Sequence, residues 1–141
     1  MADQEVILRK VDSIQNCLQR VFEKTQNNSK WIDDFDSRDI VVLHLIRAIQ
    51  LCVDTANLII SEQKWGIPRS LGESFYILKK NEVIDHNLME RLQKMVGFRN
   101  IATHAYKEIN YIILKSIVDH RLNDFEEFYK KVLEFLPTGT S

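Results

Sequence analysis

A chain of 141 residues, 45% of them hydrophobic, suffices for one domain around one core. Its 19 basic and 20 acidic residues leave a net charge of -1, which excludes a bulk basic field for drawing in nucleic acid, so any such contact needs a local cluster. Only four glycines and two prolines occur, with Pro68 and Pro137 at apparent boundaries, and this scarcity of breakers favours long helices over strands.

Residues 4–25 place Ile7, Val11, Ile14, Leu18, Val21 and Phe22 in steps of four and three, the mark of one buried helix face. Asp3 stands where an N-cap is expected. Residues 26–30 are polar and predict a loop. The second helix, about 38–63, is the longest and most apolar, with Asp36 or Ser37 as its cap. Val42, Ile46, Ile49, Val53, Ala56 and Ile60 form one stripe, and Leu45, Cys52 and Ile59 a second. So wide an apolar surface predicts a central helix, with part of residues 41–60 serving a subunit interface. Its other side carries Arg47, Gln50, Asp54 and Asn57.

Trp65 to Pro68 ends that helix. Ser70 and Glu73 have capping-box spacing and open a short helix through Phe75, Leu78 and Lys79. Residues 81–84 connect to a helix capped by Asp85, with Leu88, Leu92, Met95 and Val96 on one side. Asn110 caps a last helix that uses Leu114, Ile117, Val118, Phe125, Phe128, Val132 and Phe135 and stops before Pro137. The sum is an all-α fold, an antiparallel bundle of four long helices plus one short helix. It forms a single domain over residues 1–137, with a short tail at 138–141.

Cys17 and Cys52 lack metal-ligand spacing and read as reduced core thiols of a cytoplasmic protein. The start of the chain shows no basic-then-apolar leader, and no apolar run nears the roughly 18 residues of a membrane span. His44 and His120 sit in ordinary helical patterns and His86 near a helix start, and all three read as structural. No metal site and no cofactor-binding motif is expected.

The informative run is Phe98-Arg99-Asn100-Ile101-Ala102-Thr103-His104-Ala105-Tyr106. Histidine moves protons near neutral pH, and arginine grips phosphate through a forked, permanently charged head. RNA cleavage without a metal needs those two functions. Asn100 and His104 share a helix face, whereas Arg99 and His104 diverge by about 140°. A straight helix therefore does not converge the set. Fraying near 105–107 would turn Tyr106 inward, or a second copy across a two-fold axis would complete the site. From spacing alone, a hydrogen-bonded surface cluster at a helix end remains the alternative.

These residues resemble the R-x4-H-x-Y signature of HEPN-domain ribonuclease toxins of the HepT type. The runs Gly66 to Ser70, Phe75 to Leu78, Val83 to Asp85 and Met95 to Asn100 resemble the same family, so the likeness spans nearly the whole chain. The resemblance implies a HEPN-like bundle, a homodimer, and the toxin of a type VII toxin–antitoxin system. It implies a metal-independent endoribonuclease in which the 2′-hydroxyl of the RNA substrate attacks phosphorus. Arg99 and His104 of two protomers would line the cleft, supported by Asn100, Tyr106 and Asp54. It further implies a minimal nucleotidyltransferase antitoxin that transfers AMP to Tyr106 and silences the toxin. The alternative is a non-catalytic partner-binding module, or a mere substrate of that transferase.

Overall fold

The computed structural model describes residues 2–137 and is helical throughout its regular elements. The order is α1 (Ala2–Thr25), α2 (Phe35–Gln63), α3 (Leu71–Lys80), α4 (His86–His104), α5 (Tyr111–His120) and α6 (Leu122–Phe135). Short 3₁₀ turns, Trp31–Asp33 and Tyr106–Glu108, precede α2 and α5. The expected tail at 138–141 lies outside the described residues.

Three expected caps form. Glu73 N–H donates to Ser70 Oγ at 3.1 Å, Leu88 N–H to Asp85 Oδ1 at 2.8 Å, and Ile112 N–H to Asn110 Oδ1 at 2.9 Å. Two differ. Helix α1 already includes Asp3, so that residue is not its cap. Helix α2 starts at Phe35, earlier than its apolar stripe suggests, because Asp34 is the cap. Asp34 Oδ2 accepts from Ser37 Oγ at 2.6 Å and from Ser37 N–H at 3.3 Å. Those bonds hold the Asp34 carboxyl below its ordinary range. At the far end of α2, Lys64 adopts a left-handed conformation with φ +60° and closes the helix.

Helix α2 is the centre of the bundle and contacts α1, α3, α4 and α6. Val41, Val42, Leu45, Ala48, Ile49, Cys52, Val53, Ala56, Ile59 and Ile60 are all buried. Both of its apolar stripes are thus covered within one chain, and residues 41–60 do not offer the broad subunit surface that their sequence suggests. Within 41–60 Leu43 is the one exposed large apolar side chain, and the others left in solvent lie elsewhere, among them Phe35, Ile67, Ile101, Ile112 and Ile113.

The expected last helix is two helices. An unbroken stripe through Leu114, Val118, Phe125 and Phe128 would set Arg121 facing the core. The chain instead breaks at Arg121, with φ -120° and ψ -1°, and α6 leaves in a new direction. Phe125 and Phe128 are then fully buried, and Phe128 meets Phe75 edge-to-face at 5.7 Å between centroids. Arg91 locks α6 to α4. It pairs with the buried Asp124 carboxylate and with Glu127 at 3.0 Å.

Candidate functional site

Phe98 and Ala102 are buried and turn one face of α4 to the core. Asn100, Ile101, Thr103 and His104 are consequently exposed, and Arg99 is half-buried. The motif therefore stands on the outer surface near the end of a helix that is itself firmly seated by Leu88, Leu92 and Met95.

Arg99 Nη1 donates to Asn100 Oδ1 at 3.1 Å, while its Nε–H is buried without a partner. Asn100 is thus engaged with Arg99, not with His104. His104 is the last residue of α4, and no hydrogen bond from the other described residues holds its ring. Helix α4 stays regular to His104, which leaves Arg99 and His104 about 140° apart in direction. One protomer does not converge the pair on a single atom.

Ala105 ends α4 with φ -145° and ψ 58°. The 3₁₀ turn follows, held by Glu108 N–H to Ala105 O at 2.7 Å and by buried Ile109. This bend carries Tyr106 away from His104 and onto α2, where its hydroxyl donates to Asp39. Burial first, then the Asp39 carboxylate, pushes the Tyr106 phenol up to about 12. Arg38 lies alongside, its guanidinium 4.6 Å from the Phe35 ring centre and 4.3 Å from that of Tyr111. Beyond it a cleft of about 450 Å³ opens between α2 and α5, bordered by Tyr111, Lys115 and His120.

Asp54 lies elsewhere. It borders a cleft of about 500 Å³ between α1 and α2 with Arg20, His44 and Arg47, and accepts from Gln50 Nε2 at 2.9 Å. The structure thus joins Arg99 to Asn100 and Tyr106 to Asp39, and keeps Asp54 apart from both. Sequence reasoning missed Asp39 and Arg38. They sit in an ordinary charged helix start, and no local pattern links them to Tyr106. His86 and His120 are exposed, with His86 Nε2 at 3.5 Å from Glu90. Cys17 and Cys52 are buried free thiols, both pushed up by burial. Among the described residues no helix is long and apolar enough to cross a membrane.

A family model described as "Ribonuclease HepT-like" matches residues 8–132. The mRNA nuclease HepT of Shewanella oneidensis is 40% identical over 124 residues, which cover 88% of this chain and 93% of that protein. The solved structure of the tri-AMPylated Shewanella oneidensis HEPN toxin in complex with MNT antitoxin is similar to this chain, with a TM-score of 0.87 and 39% identity. That match covers 92% of this chain and 97% of the toxin. A toxin–antitoxin crystal structure with AMP-PNP matches at a TM-score of 0.89 and 38% identity, covering 92% and 98% of the two chains.

Proposed function

Because the chain belongs to the HepT-like ribonuclease family, we propose that Arg99 and His104 are the catalytic pair of an endoribonuclease toxin. The observation that carries this reading is the intact motif, presented to solvent on the outer face of α4 in a chain of this family. RNA brings its own nucleophile. Neutral His104 takes the proton of a 2′-hydroxyl as that oxygen attacks the adjacent phosphorus, and the 5′-oxygen leaves. The products are a 2′,3′-cyclic phosphate and a 5′-hydroxyl, and no metal takes part. Arg99 stabilises the extra negative charge of the pentacoordinate transition state, where a fixed cation contributes more than in the ground state.

The leaving oxygen needs a proton, and one protomer offers a single motif histidine. A homodimer supplies a second His104 and a second Arg99 to one cleft, and this resolves the 140° divergence within one helix. Exposed Ile101, on the same outward side of α4 as His104, with Ile112 and Ile113 of α5, gives such a contact its apolar area.

The control element is Tyr106. The similar toxin is tri-AMPylated and in complex with an MNT antitoxin. By the same chemistry, a minimal nucleotidyltransferase antitoxin adds AMP to Tyr106 here, which makes the pair a type VII system acting in the cytoplasm. AMP at this position adds bulk and negative charge just beyond His104, which repels RNA. The test is induced expression. Growth should arrest with the wild-type chain and continue with a folded His104→Ala variant. Equal arrest by both would leave the motif without a catalytic role.

A further inference from the structure

We propose that Asp39 is the general base for AMP transfer onto Tyr106, so that the toxin chain itself, and not the transferase, accepts the phenolic proton. This rests on the reading of Tyr106 as the acceptor. The reacting oxygen already donates its hydrogen to Asp39 Oδ1. A general base has to lie within hydrogen-bond reach of the proton it removes, and Asp39 does so before any partner docks. Both residues lie at the surface, with Tyr106 40% exposed, so a docked transferase can reach the pair and Asp39 can exchange its proton with water.

The alternative route is attack by a phenolate formed in advance. Burial and the neighbouring carboxylate make that ion scarce near neutral pH. The group that suppresses free phenolate is the one placed to take the proton in concert with attack. The groups facing the hydroxyl are Asp39 and Arg38 of α2 and Tyr111 of α5. Arg38 opposes the rise, and Asp39 is the one carboxylate among the three.

The step balances. The Tyr106 O–H bond breaks and its proton moves to Asp39. The oxygen bonds to the α-phosphorus of ATP, which the transferase supplies. The bond from that phosphorus to the bridging oxygen breaks, and pyrophosphate leaves with the electron pair. Exposed Asp39 then returns its proton to water. The new phosphodiester has no hydrogen to donate, and its negative charge faces the restored carboxylate. The Tyr106–Asp39 contact is therefore lost on modification.

The experiment compares wild-type and Asp39→Asn chains with the cognate nucleotidyltransferase and ATP, following AMP incorporation by intact mass from about pH 6.5 to 8.5. Asparagine keeps an acceptor oxygen for the hydroxyl but takes no proton. Its maximal rate should fall about 10²–10⁴-fold. The loss should appear in kcat and not in KM, and the remaining rate should rise about tenfold per pH unit, as attack by preformed phenolate requires. Asp39→Glu, which keeps a base on a longer arm, should recover part of the loss, and it serves as the working variant if the asparagine chain melts early. Equal rates and equal pH profiles in wild-type and Asp39→Asn would overturn the assignment, as would a loss confined to KM. A wild-type chain that takes up no AMP would instead overturn the regulatory reading beneath it.

Discussion

The hydroxyl of Tyr106 donates a hydrogen bond to the carboxylate of Asp39, tying the turn just beyond His104 to the opening turns of α2. Because that hydroxyl points to α2, it is free of His104. Tyr106→Phe should therefore keep RNA cleavage and lose AMP acceptance. The lost hydrogen bond sits at a surface 40% exposed at Tyr106, so stability should change by no more than about 1 kcal/mol. Intact-mass analysis of the co-expressed variant checks this. An adduct retained in Tyr106→Phe would move the modification to another residue.

Arg91 is the ion-pair link between α4 and α6, and its removal leaves Asp124 buried without its cation. Arg91→Met should cost about 3–5 kcal/mol in denaturant unfolding. Replacing Asp124 by Leu in the same chain should recover much of that loss, because the orphaned charge goes with it. If the double variant is as unstable as the single one, packing and not charge is the cause.

His44 borders the α1–α2 cleft with its Nδ1 buried and unpartnered. Burial first, then Arg47 and Arg20, hold its folded pKa below 6.5. The unfolded chain therefore takes up this proton at a higher pH than the folded chain does. Stability from this group is complete above about pH 6.5 and erodes as pH falls toward the folded value. His44→Gln should flatten the stability difference between about pH 7.5 and 5.5 in denaturant titrations. An unchanged difference would assign the acid sensitivity to other groups.

Much of the architecture follows from local patterns. Ser70, Asp85 and Asn110 each cap within three residues of themselves, so sequence alone places those helix starts. The break at Arg121 is legible only when its register against Val118 and Phe125 is followed. The pairing of Tyr106 with Asp39 spans 67 positions and that of Arg91 with Asp124 spans 33, and no periodicity reports such contacts. The apolar width of α2 is plain in the sequence, but what covers it is not. Four neighbouring helices of the same chain do so. The motif at 98–106 was legible as a spacing, whereas the turn of Tyr106 toward α2 depends on the bend at Ala105.

The apolar residues left uncovered near the motif make a specific assembly prediction. Ile101 is 49% exposed, and Ile112 is 81% exposed. The wild-type chain should sediment as a homodimer at micromolar concentration. On the proposed two-protomer cleft, Ile101→Glu should shift it toward monomer and lose RNA cleavage together. A fully active monomer would remove the need for a two-protomer cleft.

The most direct measurement is cleavage of total RNA in excess chelator, with the product ends identified. The wild-type chain should cleave and leave 2′,3′-cyclic phosphate and 5′-hydroxyl ends. Folded Arg99→Ala and His104→Ala variants should each lose at least about 10²-fold in rate. Cleavage that stops in chelator and returns with a divalent ion, or that survives in His104→Ala, would contradict the account.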